Sequence, residues 1–360
     1  MPACRRKKSV RLMLSERYIN DDKSTVYLGE SALSGKQALL AKAAQGIYPT
    51  EEAPCSICQS GHFKVLSKKE RRGIPLSVVI CQNCGLVQAN PRLDKEAYVQ
   101  FYNNEYELLQ AEADGENETF FSIERKRGKK IYEFLKGQLG RGIKDKFIVE
   151  IGAGAGGILS YFQEQGNEVY GLDLGEEYVR FGQKKGVRLE VGGIEKLKQL
   201  KKKPYLVIYN HVLEHLLDPL KELQEVKKHL REGTFLYLAV PGIKNIPYSH
   251  QSDFLKYLTI THVNYFTKTT VSNLFKMAGG LRIVHVDEKI EAFLQLDSRV
   301  KPNKIQNDYE SCWEFLQKLE NSRPGNFSWQ RIKNALMNFL KRIGLYRYLK
   351  SAYSKISNFL

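Results

Sequence analysis

The sequence predicts an α/β protein built on a doubly wound parallel sheet. Three observations predict it. The segment Phe147-Ile-Val-Glu150-Ile-Gly152-Ala-Gly154-Ala-Gly156-Gly157 is an apolar strand that runs into a glycine-rich turn and then a helix. A second apolar strand, Val169-Tyr-Gly-Leu-Asp173, follows and ends in an acid. Beyond it, strands and helices keep alternating, the pattern of parallel strands joined by right-handed crossovers. A ligand of such a sheet sits outside the carboxyl ends of its strands.

In chain order, residues 1–50 read as a polar, basic extension with a short helix near 36–47. Residues 51–110 hold four of the six cysteines and read as a small metal-held module. Residues 111–298 form the α/β domain. It opens with a helix over 120–139, and strands are expected near 147–151, 168–173, 187–191, 205–210 and 234–240. An amphipathic helix covers 219–230. Residues 281–288 and 290–296 supply two last strands. The stretch 243–266 is too long for a plain connector and reads as a substrate-facing lid with His250, Asp253, His262 and Tyr265. Thr267 N-caps the next helix, 268–278, which Gly279-Gly280 ends. Residues 299–360 form a basic helical tail. From Trp329 its apolar residues Ile332, Leu336, Phe339, Ile343, Tyr346, Leu349, Tyr353 and Ile356 recur at spacings of three and four.

Cys55-x-x-Cys58 and Cys81-x-x-Cys84, 22 residues apart, offer the four thiolates of a tetrahedral Zn²⁺ site. A redox pair is the competing reading, but it leaves the second pair unexplained. A site filled by four cysteines is closed, so the metal holds a fold and does no chemistry. His62 is a spare ligand that the filled shell does not need. Cys4 and Cys312 are expected to be inert.

The turn at Gly152 lets backbone approach a ligand with no Cβ in the way, and the helix N-terminus behind it offers free N–H donors. Gly152, Gly154 and Gly157 satisfy G-x-G-x-x-G, a pattern shared with dinucleotide sites. Asp173, 19 residues beyond Gly154, is placed to bind ribose hydroxyls. Glu150 separates the two readings. A carboxylate at the end of the first strand repels a pyrophosphate but suits S-adenosylmethionine (SAM), a sulfonium cation with an α-ammonium group. The stretch Tyr205-Leu-Val-Ile-Tyr-Asn210-His211-Val-Leu-Glu214-His215 adds a buried strand ending in Asn-His, then Glu-His.

Glu150-Ile-Gly-Ala-Gly154, Asp173, Asn210-His-Val-Leu-Glu-His215 and Ala239-Val-Pro-Gly242 together resemble the signature of class I SAM-dependent methyltransferases over residues 130–296. Around the second cysteine pair, Ile80-Cys-Gln-Asn-Cys-Gly-Leu-Val-Gln88, Asn90-Pro-Arg92, Phe101-Tyr102 and Tyr106 resemble the amino-terminal zinc module of a subfamily. That subfamily is similar to sugar C-methyltransferases and to bacterial methyltransferases of surface-polysaccharide biosynthesis. The resemblance then spans residues 50–296.

It implies a Rossmann-like methyltransferase sheet whose last two strands make an antiparallel edge. It implies that Glu150, Gly152 and Gly154 surround the methionine part of SAM. Asp173 would hold the ribose, Ile194 and Glu195 would lie near adenine, and Asn210 would line the methionine side. Many relatives carry an acid where this chain has Gly193. His215 and His262 match histidines of the substrate pocket, where histidine suits removal of a proton near neutral pH. Tyr106 is expected to reach the same pocket. In relatives an acid precedes the second histidine; here Thr261 does, which brings an O-methyl acceptor level with a carbon acceptor.

Lys and Arg total 56 against 40 Asp and Glu, a net charge of +16. That surplus suits nucleic acid, anionic lipid or phosphorylated substrates, or merely a solvated basic surface. No acidic residue follows Glu320, while eight basic ones do. The tail therefore suits an anionic membrane surface, or packing on its own domain or on a second copy. No apolar run reaches the length of a membrane span. The basic start lacks an apolar core, so a cytoplasmic location is expected, with peripheral contact at the inner face of the membrane. Three functions follow. The first is methyl transfer from SAM to a small molecule or glycan: a sugar, nucleotide sugar or surface-polysaccharide hydroxyl or carbon. The second is RNA methylation using the zinc module and basic tail. The third is a non-catalytic assembly role on a SAM fold.

Overall fold

The computed structural model describes residues 13–110 and 117–323. The tail helix expected from Trp329, and Cys4, lie outside these described residues.

Among them, helix α1 (Glu30–Ala44) is followed by strands β1 (Thr50–Glu51), β2 (Phe63–Lys69), β3 (Pro75–Cys81), β4 (Val87–Ala89) and β5 (Arg92–Leu93), then helices α2 (Lys95–Asn104) and α3 (Tyr106–Gln110). Helix α4 (Asn117–Leu139) leads into β6 (Phe147–Ile151), α5 (Gly157–Glu164), β7 (Glu168–Asp173), α6 (Glu176–Lys184), β8 (Leu189–Val191), β9 (Leu206–Asn210), α7 (Pro219–Lys227) and β10 (Phe235–Ala239). Strand β11 (Asn264–Tyr265), helix α8 (Lys268–Ala278), β12 (Leu281–Val286), β13 (Glu291–Leu296) and helix α9 (Tyr309–Asn321) complete the order. Helix α1 begins six residues earlier than the periodicity predicted. Its Gly35 lets Leu108 and Leu109 pack against it, a contact invisible to local pattern.

The large sheet has the order β12-β13-β10-β9-β6-β7-β8. Strands β10, β9, β6, β7 and β8 are parallel, and β13 runs antiparallel between β10 and β12. This is the α/β class I methyltransferase fold, with the antiparallel hairpin at the expected edge. The central strands β6, β9 and β10 are mostly apolar because both faces are covered. Val149, Ile151, Val207 and Tyr209 pack with Leu223 and Val226 of α7 and with Val271, Leu274 and Phe275 of α8. Ile148, Leu206 and Ile208 point the other way, onto Ile131 and Leu135 of α4 and Ile158, Leu159 and Phe162 of α5.

A second sheet has the order β11-β4-β3-β2. Its outer strand β11 comes from the segment 243–266, and Asn264 and Tyr265 pair with Gln88 and Val87. Phe254, Leu255, Tyr257 and Leu258 of that segment are buried in one apolar cluster with Tyr18, Leu39 and Tyr48 of the amino-terminal stretch, Phe101 of α2, and Cys312 and Leu316 of α9. Much of the segment expected to be a lid is thus packed into this core, while Tyr248 stays exposed. Among the described residues, no helix is long and apolar enough to cross a membrane.

Candidate functional site

The cofactor half of the site lies where β6 gives way to α5. Gly152 and Gly154 have φ of 69° and 50°, the left-handed region that favours glycine. A Cβ on Gly152 would stand 2.5 Å from Val212 Cγ2, and one on Gly154 would stand 3.0 Å from the Phe120 ring. The turn is therefore packed between the loop after β9 and the start of α4.

Glu150 is buried at the end of β6, 1 % exposed. Its Oε2 has no hydrogen-bond partner among the described residues. Burial, and then the nearby carboxylates Glu124 and Asp173, hold its pKa well above the usual range, while Arg127 opposes them. An orphaned buried carboxylate is costly. A cationic ligand beside the turn removes that cost.

Asp173, at the end of β7, accepts 2.7 Å hydrogen bonds from the N–H of Gly154 and of Gly175. Burial raises its pKa against these bonds. Each carboxylate oxygen keeps capacity for another donor, such as a ribose hydroxyl. Ile194 packs half-buried against the core beneath the sheet. Glu195 is exposed and turns back to accept a 2.8 Å bond from Gly193 N–H. Asn210 is buried at the end of β9, beside Ala239 of β10.

The other half follows β9. His211 has a φ of 57°, unusual for a residue with a side chain, and such strain clusters at functional sites. This bend carries the chain into a single turn, Leu213–His215. The ring of His215 meets that of His262 with centroids 4.8 Å apart and planes at 87°. The Thr261 carbonyl lies 2.8 Å from His215 Nδ1, and the Tyr102 hydroxyl 2.6 Å from it. A carbonyl only accepts, so the proton of neutral His215 sits on Nδ1 and Nε2 keeps its lone pair. Tyr98 adds hydrogen bonds from its hydroxyl to the carbonyls of His215, at 2.6 Å, and Thr261, at 3.1 Å.

Burial lowers the pKa of both histidines, and of His262 to well below the usual value, with the proximity of His215 second. Both rings are therefore neutral at pH 7. Glu214 is 2 % exposed. Its Oε1 lies 3.2 Å from His211 Nδ1 and 3.9 Å from His215 Nε2.

The structure therefore brings together Glu150, Gly152, Gly154 and Asp173 on one side, and His215 with His262 on the other. Gly152 against Val212 joins the two halves. Tyr106 stacks on Tyr102 with centroids 4.6 Å apart, which sets it behind the ring that touches His215. The sequence reading gave Glu214, Tyr98 and Tyr102 no part in the site. The signal for the tyrosines was present: Tyr98, Tyr102 and Tyr106 recur every four residues, one face of a helix. Thr261 turns its hydroxyl toward Thr259, 3.2 Å away, which lies 3.2 Å from Arg72. A cavity of about 520 Å³ shares Tyr98, Ile260 and Val263 with the histidine side but none of the cofactor residues.

The four thiols of Cys55, Cys58, Cys81 and Cys84 lie within 4.8 Å of one another, with Cys55 and Cys84 sulfurs 3.4 Å apart and those of Cys58 and Cys81 3.5 Å apart. Four tetrahedral Zn–S bonds of about 2.3 Å require sulfurs about 3.8 Å apart, so the set fits such an ion. His62 is exposed and outside this group. Cys312 is buried in the second core.

Residues 123–286 match a family model described as a methyltransferase domain. No curated protein matches the chain. Among solved structures, the chain is similar to one from the complex between the Haloferax volcanii Trm112 methyltransferase activator and its methyltransferase partner. Identity is 16%, coverage is 53% of this chain and 98% of that one, and the TM-score is 0.39. It is similar to a SAM-dependent methyltransferase from Aquifex aeolicus, at 19% identity, 48% and 98% coverage and a TM-score of 0.36. It is also similar to the plantazolicin methyltransferase BpumL in complex with SAH, at 14% identity, 57% and 91% coverage and a TM-score of 0.38.

Proposed function

We propose that this chain transfers a methyl group from SAM to a small-molecule or glycan acceptor: a sugar, nucleotide sugar or surface-polysaccharide hydroxyl or carbon. The observation that carries the reading is Glu150, a buried carboxylate with an unpartnered oxygen beside a glycine turn that faces the loop after β9. It suits the α-ammonium of the methionine part. Gly152 and Gly154 give the turn the left-handed backbone that lies beside that part, Asn210 lines it, Asp173 takes the ribose hydroxyls, and Ile194 and Glu195 lie on the adenine side. Bound SAM supplies the electrophilic methyl on its sulfonium.

The chain's own task is alignment and proton handling. Holding the acceptor in line with the methyl lowers the barrier by itself. His215 and His262, both neutral, assist loss of the acceptor's proton. The Cys55, Cys58, Cys81 and Cys84 set holds a structural Zn²⁺. The basic tail contacts an anionic membrane surface, which keeps the enzyme peripheral to the inner face of the membrane.

The test is mass spectrometry after incubation with SAM and a panel of nucleotide sugars and glycans. A mass gain of one methyl on a sugar supports the reading. Methylation of RNA with no sugar modified would overturn it in favour of the RNA reading, which the +16 charge supports. That second reading also requires RNA binding that weakens steeply with salt. Absence of SAM binding by calorimetry would leave only an assembly role.

A further inference from the structure

A second cluster of metal-ligating side chains lies on the histidine side of the site. Glu214, His215 and His262 each offer one ligand atom, and these atoms lie within 4.8 Å of one another. Glu214 Oε2 and His262 Nδ1 are buried and have no hydrogen-bond partner among the described residues. Buried polar atoms are normally satisfied, so two orphans in one three-residue cluster require an explanation. The Nδ1–H of His215 is directed at the Thr261 carbonyl, 2.8 Å away, which leaves Nε2 free. A backbone carbonyl on the far ring nitrogen is the usual support of a metal-bound histidine, since it fixes tautomer and ring orientation.

The surroundings carry charges of both signs. His211, half-exposed, lies against Glu214, and Tyr102 against His215. Arg71 is the cation whose charge reaches His262, and the buried Glu70 acts on Arg71 in the opposite sense.

We propose that Glu214, His215 and His262 bind one divalent transition-metal ion, of the class that takes imidazole and carboxylate together. A tetrahedral ion with bonds of about 2.0–2.1 Å needs ligands about 3.3 Å apart, so adjustments on the order of 1 Å close the site. Three protein ligands leave a coordination position open, in contrast to the closed cysteine set. An open position of that kind would favour a hydroxyl oxygen over an apolar carbon as acceptor. With the ion bound, His215 and His262 would have no lone pair left to take a proton, and the ion would instead ease loss of the acceptor hydroxyl's proton; that role rests on the methyltransferase reading, while the binding does not.

The test uses the full-length protein, stripped by a chelator under reducing conditions and reloaded with Co²⁺ or Zn²⁺. Bound metal is counted by mass spectrometry of the elements, and thiolate–cobalt absorption marks the cysteine site. The wild type should hold two equivalents. His262→Ala and Glu214→Gln should each hold one, with the thiolate–cobalt band and SAM binding by calorimetry unchanged. One equivalent in the wild type, all of it thiolate-bound, would overturn the proposal, and so would two equivalents in both variants. The wild-type count decides even if a variant misfolds. Two equivalents without SAM binding would leave the metal site standing and remove the methyltransferase reading. SAM binding with one equivalent would do the reverse.

Discussion

At the scale of single residues, Glu150 and Asp173 carry the most testable chemistry. Replacing Asp173 with Ala removes a charged acceptor of ribose hydroxyls. Hydrogen bonds to charged groups contribute about 1.5–3 kcal/mol, so SAM should bind about ten to a hundred times more weakly by calorimetry. His262→Ala should leave SAM affinity unchanged and slow turnover about a hundredfold or more. Glu150 makes stability depend on pH. Its folded pKa lies above its ordinary 4.5. The stability tied to its protonated form is full below that ordinary value and is lost as pH rises through the folded one. The melting temperature of the ligand-free protein should therefore fall across that window. Glu150→Gln should make the slope shallower, with Asp173, Glu70 and Glu222, also raised by burial, contributing to what remains, while weakening SAM binding. An unchanged slope would mean that the carboxylate is satisfied by some other group.

At the scale of elements, much of the large sheet was legible. Five parallel strands and the closing hairpin follow from apolar runs bounded by glycine and polar turns. So does α8, whose capping residue Thr267 accepts from Thr270 N–H and donates to Asp308. Thr267→Ala should cost about 1 kcal/mol or more, read from chemical unfolding. Glu150, Gly152, Gly154 and Asp173 stood out because the first three share one strand-to-turn run and the last ends the next strand. The histidine end was legible only in part. Tyr102 touches His215 across 113 positions and Tyr98 across 117, and nothing local announces such a contact. The burial of 243–266 was hidden for the same reason. Its apolar residues look spare until Tyr18, Leu39 and Cys312 arrive from both ends of the chain.

At the scale of the molecule, the cysteine set and the large sheet are energetically joined. Cys55, Cys81, Cys84 and Leu86 belong to the same apolar cluster as Phe275 of α8 and Leu238 of β10. Metal removal should therefore be felt beyond the knuckles. Chelation should lower the melting temperature by about 10 °C or more and speed amide exchange in β2, β3 and β4 before β6 and β9. Equal exchange in both sheets would mean that the metal does not hold the smaller one.

Strand β11 gives this coupling a place in time. The smaller sheet needs Asn264 and Tyr265 beside β4, and these leave the ribosome about 175 residues after Ala89. At roughly 5–20 residues per second, β4 waits about ten to thirty-five seconds as an open apolar edge. An open edge invites pairing with a neighbouring nascent chain on the same message. The yield of active protein should thus depend on how quickly translation crosses residues 90–265.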